Sequence, residues 1–337
     1  MHCKVWAGVD IGGTKTAVVI SLAPPVALSR IEFATEPERG PEPAIARIKA
    51  ELHAMLAAQG LTASDLMAIG ISCGGPLDRN TGVVQAPPNL STWIDVPIVD
   101  ILAGEFSCPA RLENDANAGA LAEHRFGAGR GLKNLVFLTM GTGFGAGLIL
   151  NGQLYYGATD SAGEIGHVRL TRSGPVGYHK AGSAEGWASG GGMAQIAARE
   201  LQAARRSGRK SVLLDDGEDH PVTARDVGVA ALAGDAVALR IVRASGRKLG
   251  QALAILVDLL NPDCIAIGGL ALRLGELILE PAREVLAHEA LQPAVAACRV
   301  VPALLGEKIG DVAALCIAMD TEPVDAASVG TETNRGL

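Results

Sequence analysis

The sequence predicts an α/β chain made of two similar halves, and two stretches carry that expectation. Residues 5 to 20 run as an apolar strand, then Gly12-Gly13-Thr14, then a second apolar strand. Residues 134 to 152 repeat the pattern. Leu135 to Met140 is an apolar run, Gly141-Thr142-Gly143 breaks it, further glycines follow, and Leu148 to Leu150 leads into Asn151-Gly152, a strong hairpin signal. Glycine at this density lets backbone approach a ligand without a Cβ in the way and turns N–H groups toward an anion. One such hairpin is weak support for a phosphate cradle. Two of the same kind imply a duplicated fold in which each half offers a turn to one shared ligand. The first copy adds Asp10 at a strand end, where a metal-bound phosphate would sit.

The chain has 337 residues, enough for two domains with substantial cores. Its 48% hydrophobic and 19% charged content is that of an ordinary globular protein. Net charge is −7 with no basic run, which argues against a nucleic-acid partner. Cys3, Cys73, Cys108, Cys264, Cys298 and Cys316 form no CxxC pair, and no signal peptide is recognisable. They are expected as reduced thiols in a cytoplasmic protein. No stretch is apolar enough to span a membrane, since Asp258 interrupts Leu253 to Leu260.

In chain order, Ala23-Pro24-Pro25 turns into a strand from Val26 to Ala34, and residues 43 to 59 have helical spacing between an entry proline and Gly60. Leu66 to Ser72 is a strand leading to the Cys73-Gly74-Gly75 loop, and Pro87 to Trp93 is a rigid loop with an exposed-looking Asn89 and Trp93. Pro97 to Glu105 reads as a helix, and Ala110 to Leu112 as a strand ending in Glu113-Asn114-Asp115 before a helix from Ala116 to Phe126. Asn114 and Asp115 at such a junction are ordinary helix caps. The functional alternative is that Asp115 takes a proton from a substrate hydroxyl. Beyond the second hairpin, Glu164, His167 and Glu185 lie in or beside Gly-rich loops. Helices are expected over 193–204, from Thr223 with its capping acid Asp226, over 235–260, over 275–288 and over 310–319. Strands are expected over 264–267, ending in Gly268-Gly269, and over 299–302. The acidic run Asp215 to Asp219 reads as a solvated excursion, and residues 321–337 as a disordered tail.

Taken together, Asp10-Ile11-Gly12-Gly13-Thr14-Lys15, Asn114-Asp115-Ala116-Asn117, Gly141-Thr142-Gly143, Gly163-Glu164-Ile165-Gly166-His167 and Gly268-Gly269 resemble the ROK family (repressors, open reading frames, kinases), in particular its sugar kinases. The resemblance spans about residues 5 to 320 in the family's order and spacing. It implies an actin-like fold of two ribonuclease-H-like lobes with a ligand cleft between them. One lobe would be 1–117 completed by a C-terminal helix at 305–322, the other 118–304, with 323–337 as the tail. It also implies ATP- and Mg²⁺-dependent phosphorylation of a hexose or N-acetylhexosamine hydroxyl, usually at C6, by a homodimer.

By the same resemblance Asp115 is the general base, and Asn114, Glu164, His167 and Glu185, with Asn89 and Gly75, contact the sugar. Gly12, Gly13, Thr14, Lys15, Gly141, Thr142 and Gly143 hold the phosphates, Gly268 and Gly269 the adenosine, and Asp10 the hydrated Mg²⁺. Many members also bind a structural zinc through this histidine and three cysteines. Here Val176, Tyr178 and Ser183 stand at the cysteine places and His179 replaces a glycine, so no structural zinc is expected. A different metal site from His167, His179 and Tyr178 is a minor alternative, and packing by Tyr178 and Trp187 is the expected replacement. Two competing functions remain. A sugar-responsive repressor is disfavoured because the chain enters a strand at once and is acidic, and a sugar-binding pseudokinase is disfavoured by the intact Asp115 and phosphate turns. Polyphosphate is an alternative donor to ATP, and the sugar itself stays open.

Overall fold

Val5–Ile11 (β1) and Lys15–Ser21 (β2) form the first hairpin, with Ile11 opposite Thr16 across the glycine turn. Both are buried over most of their length, which is why they read as continuous apolar runs rather than alternating ones. Ser29–Ala34 (β3) pairs antiparallel with β2 and alternates as an edge strand should. It begins three residues later than the expected Val26, which instead bridges back to Ala23 around the two prolines and stays exposed. The structure, a computed structural model, describes residues 4–214 and 221–321. Cys3, the acidic run 215–219 and the expected tail beyond 321 lie outside the described residues.

Pro41–Ala58 (α1) buries Ile45, Ile48, Leu52 and Leu56 at helical spacing. Leu66–Cys73 (β4) runs parallel to β1, and Ala110–Asn114 (β7) parallel to β4. A small hairpin, Leu77–Asp78 (β5) with Val83–Val84 (β6), and Ile98–Phe106 (α2) lie between them. Asp115–Phe126 (α3) follows β7 directly. The strand order of this sheet is β3-β2-β1-β4-β7.

The second sheet repeats that plan. Leu135–Met140 (β8), Phe144–Leu150 (β9) and Gln153–Leu154 (β10) are successively antiparallel, and Cys264–Ile267 (β13) and Arg299–Pro302 (β14) add in parallel, giving β10-β9-β8-β13-β14. The expected duplication is therefore present strand for strand. Gly145 and Gly147 belong to β9 rather than to the turn, because Phe144, Ala146 and Leu148 already share the alternating buried face.

Val176–Gly177 (β11) and Lys180–Ala181 (β12) make a separate hairpin. The helices that follow are Ala184–Ala188 (α4), Gly190–Arg206 (α5), Ala224–Leu232 (α6), Ala236–Leu260 (α7), Leu270–Leu274 (α8), Glu276–Glu289 (α9), Gln292–Ala297 (α10) and Ile309–Met319 (α11). Thr223 and Asp226 form the expected capping box on α6. The short α4, α8 and α10 escaped the sequence reading because fewer than two turns leave no periodicity to detect.

The chain divides into two compact units, 1–118 with 310–337, and 119–309. Each has its own apolar core. In the first unit α11 lies directly on the sheet. A Cβ on Gly70 of β4 would run into the Ala314 carbonyl, and one on Gly8 of β1 would come within 2.9 Å of the Ala314 side chain. Residues 312 to 318 of the helix are buried in consequence.

Candidate active site

β1, β4 and β7 are adjacent and parallel, and their carboxyl ends stand in register: Asp10 beside Ser72, Ser72 beside Glu113, Cys73 beside Asn114. In α/β sheets ligands bind at this end of the strands. Burial pushes the Asp10 carboxyl up from 3.8 to about 6; a hydrogen bond from Ser72 opposes the shift, and the like charges of Asp115 and Asp311 reinforce it. A Cβ on Gly310, in the first turn of α11, would strike the Asp10 Oδ2, so the helix start and the carboxylate are in tight contact.

Asp115 is the first residue of α3. Crowding by protein raises its pKa, and the Ala116 N–H donated to its Oδ1 at 2.8 Å works against the rise. Its side chain nonetheless reaches solvent. Asn114 performs the capping role, with Oδ1 accepting from the Ala116 N–H at 2.9 Å, while its Nδ2 lies beside Gly75. The buried Glu113 holds this corner together. It accepts from the Asn114 N–H and the Asn117 amide, both at 3.0 Å, and from Arg79 at 3.3 Å.

The first glycine turn has its carbonyls tied inward: the Thr35 hydroxyl donates to Gly12 O at 2.7 Å and the Thr35 N–H to Thr14 O at 3.1 Å. Lys15 points to solvent and reaches Glu32 at 3.0 Å, and Arg30 spans Glu32 at 2.7 Å and Asp311 at 2.6 Å. Asn89 is exposed, and its backbone lies 2.6 Å from where a Gly13 Cβ would be. Trp93 corrects the reading of this loop. It is fully buried in the first core, where an indole of that size anchors the loop from below.

In the second unit, Gly141-Thr142-Gly143 is the exposed turn between β8 and β9. The Gly190 N–H, opening α5, donates to Gly141 O at 2.8 Å. Gly269 has φ +66°, and a Cβ there would hit the Met140 carbonyl, so the end of β13 also packs against this turn. Glu185 in α4 accepts the Phe144 N–H at 3.2 Å, which fixes its carboxylate beside Gly143. Glu164 is exposed at the start of the short turn 165–167 that carries His167. The His167 ring meets Tyr178 edge-on at 4.9 Å, and its carbonyl accepts from Lys180 Nζ at 2.7 Å.

The structure thus gathers Asp10, Gly12, Gly13, Thr14, Lys15, Gly75, Asn89, Asn114 and Asp115 in the first unit. Gly141, Thr142, Gly143, Glu164, His167, Glu185, Gly268 and Gly269 belong to the second. The sequence reading missed Ser72, Gly310 and Asp311, which surround Asp10. An acid after glycine at the start of an expected helix was the available signal.

At the zinc-motif positions, Val176 lies in β11, Tyr178 in the β11–β12 turn, and Ser183 caps α4 through the Gly186 N–H at 3.1 Å. These side chains offer no thiolate and do not fit a structural zinc. Among the described residues no group of three or more His, Cys, Asp or Glu side chains is arranged to hold a metal directly.

Two sheets of identical order, each with a glycine turn in its first hairpin, define a duplicated α/β protein of the actin-like ATPase class. The ROK family profile matches residues 6–321, and the chain belongs to the ROK family. A glucokinase of Halalkalibacterium halodurans is 34% identical over 286 residues, covering 84% of this chain and 86% of its own. The crystal structure of a ROK family glucokinase from Streptomyces griseus in complex with glucose and AMPPNP superposes with a TM-score of 0.77 at 32% identity, covering 94% of this chain and 99% of that one. A xylose repressor of Caldicellulosiruptor bescii is 31% identical over 226 residues, 67% of this chain and 55% of the repressor.

Proposed function

We propose that this protein is a sugar kinase that transfers the γ-phosphoryl group of ATP to a hexose hydroxyl, with the C6 hydroxyl of glucose as the leading acceptor. The observation that carries the reading is the closeness of two carboxylates, Asp10 at the end of β1 and Asp115 just past the end of β7 with β4 between them, beside the Gly12–Thr14 turn. The kinship with glucokinases supports it.

Phosphoryl transfer asks a protein for in-line positioning and for neutralisation of phosphate charge. Gly12, Gly13, Thr14 and Lys15 of the first unit and Gly141, Thr142 and Gly143 of the second are the proposed phosphate contacts, with Gly268 and Gly269 toward the nucleoside. Asp115 accepts the proton of the attacking hydroxyl. Asn114, Gly75 and Asn89 are the sugar-contacting groups proposed for the first unit, and Glu164, His167 and Glu185 those for the second.

Mg²⁺ suits the donor set on the page. Burial, with the like charges of Asp115 and Asp311 near it, raises the pKa of Asp10, and among the described residues too few carboxylates converge for direct ligation. That is the setting of a magnesium ion that keeps most of its waters. Asp10 would hold the hydrated ion, whose chemistry is to neutralise charge on the transferred phosphate. A homodimer in the cytoplasm belongs to the same reading.

Asp115→Asn tests the assignment. A coupled ADP-release assay over glucose, mannose, fructose, N-acetylglucosamine and N-acetylmannosamine should show turnover down by roughly 10²-fold or more with sugar binding retained, because an amide cannot take the proton. Sugar-stimulated ADP release that survives in the variant removes Asp115 from its role. The relation to the xylose repressor favours a second reading, a sugar-binding regulator without catalysis. Wild-type protein that binds a sugar but releases no ADP with any panel member, and transfers nothing from polyphosphate, would establish it.

A further inference from the structure

α5 and α7 leave a groove of about 460 Å³ on the second unit, walled by Arg209, Arg240, Arg243 and Arg247 over a floor of Ala203 and Ala244. Arg240, Arg243 and Arg247 fall at i, i+3 and i+7 on one face of α7. Arg209 comes from the segment after α5, so the guanidinium groups converge from two elements. The one carboxylate in the lining, Glu200, lies 3.2 Å from Arg240. Arg243 and Arg247 have no acidic partner among the described residues. Arg209 donates Nε to Ser207 at 2.8 Å, yet its Nη1 is shut off from water with no acceptor. Four cations sharing one concavity repel each other, in a chain whose net charge is −7. An unpaired, desolvated guanidinium N–H adds to the cost.

A solvated helix face explains exposed arginines at helical spacing, but not a concave site with a buried orphan donor from a second element. Alanine is the only hydrophobic residue in the lining, so the groups that distinguish the groove are its guanidinium heads. Guanidinium forks match phosphate oxygens two by two. The volume lies within the range of small-molecule pockets of roughly 300–1,000 Å³ and exceeds what a lone phosphate needs. We infer that this groove is a binding site for a multiply charged phosphate-bearing anion, either a short oligophosphate or a phosphorylated sugar. It is separate from the proposed active site. From Gly190, against Gly141, to Ala203 on the groove floor, α5 rises about 20 Å. The inference stands on the groove alone and does not require the kinase reading.

The test is calorimetric titration of the whole protein with sodium tripolyphosphate and, separately, with glucose 6-phosphate, at low and moderate salt. Arg243→Gln/Arg247→Gln and Arg243→Lys/Arg247→Lys variants are run beside the wild type; these exposed positions leave the fold in place. The expected result is binding of one or both titrants that weakens at least roughly tenfold in the glutamine pair and measurably in the lysine pair, because lysine keeps charge but loses the fork. Binding of tripolyphosphate alone identifies an oligophosphate site. Binding of glucose 6-phosphate shows that a phosphate ester suffices. Affinity unchanged in the glutamine pair overturns the proposal, as does a lysine pair equal to wild type, since either result reduces the groove to a diffuse positive surface. Absence of arginine-dependent heat up to about 10 mM of either titrant also overturns it.

Discussion

Replacing Asp10 by asparagine should stabilise the first unit while removing its activity. The Asp10 carboxyl is raised from 3.8 to about 6, chiefly by burial. The native state therefore holds that proton more tightly than the unfolded chain, which makes the ionised form a burden above the shifted value. Stability from this group is greatest below about pH 4, falls as pH rises toward 6, and stays lower above it. A shift of about two units corresponds to at most about 3 kcal/mol. Asparagine keeps an oxygen for Ser72 and carries no charge, so Asp10→Asn should recover most of that difference. For a unit of this size the thermal midpoint at pH 7.5 should rise by about 5–10 °C. The gain should shrink to about a third near pH 4.5, where the unfolded chain is still mostly ionised at this position, and vanish only near pH 3. Turnover with Mg²⁺ and ATP should be lost at every pH. In the wild type, turnover should fall as pH drops through about 6, and added Mg²⁺ should move that limb to lower pH by competing with the proton. The assay is a pair of melting curves at the two pH values with a parallel rate measurement. A variant that melts lower than wild type at pH 7.5, or whose gain is as large at pH 4.5 as at pH 7.5, refutes the claim that charge at position 10 lacks compensation.

Three other outcomes follow from the geometry. Gly310→Ala places a methyl group against the Asp10 carboxylate, so the KM for Mg²⁺–ATP should rise roughly tenfold or more with little change for the sugar; steady-state kinetics at several Mg²⁺ concentrations checks it. Tyr178 and His179 occupy a two-residue hairpin turn with φ of +41° and +62°, a conformation that favours Asn-Gly. Exchanging them for Asn-Gly should stabilise the protein by about 1–2 kcal/mol but weaken sugar binding, because His167 loses its ring contact; a melting curve and a sugar titration moving in the same direction would count against it. Glu185→Gln should raise the sugar KM about tenfold through loss of a charged acceptor, leaving the ATP KM alone; the reverse pattern would move Glu185 to the nucleotide.

The architecture was legible because both sheets begin with a buried hairpin around a glycine turn, and such hairpins leave continuous apolar runs on either side of the turn. Long helices were legible too, α7 through its period and α6 through its capping box. The candidate site was legible where the proposed chemistry asks for a residue type at or just past a strand end, as with Asp10 and Asp115. What escaped was contributed across sequence distance. Ser72 reads as one polar residue in a strand, and only register sets it beside Asp10. Gly310 and Asp311 reach the same carboxylate from some 300 residues away. Trp93 misled because proline and polar neighbours describe a surface loop, while the indole beneath them fills the core. The turn at 178–179 hid its strain because tyrosine and histidine announce no left-handed backbone.

The seating of α11 on Gly8 and Gly70 bears on how the protein is born. The first 118 residues lack a helix that packs against the backbone of two of their central strands, and that helix is encoded after residue 308. With translation at about 5–20 residues per second, the nascent amino-terminal segment waits on the order of 10–40 s for its missing layer. During that interval a strip of β1 and β4 stands uncovered at the ribosome, so chaperone demand should fall on this half of the chain rather than on the contiguous residues 119–309.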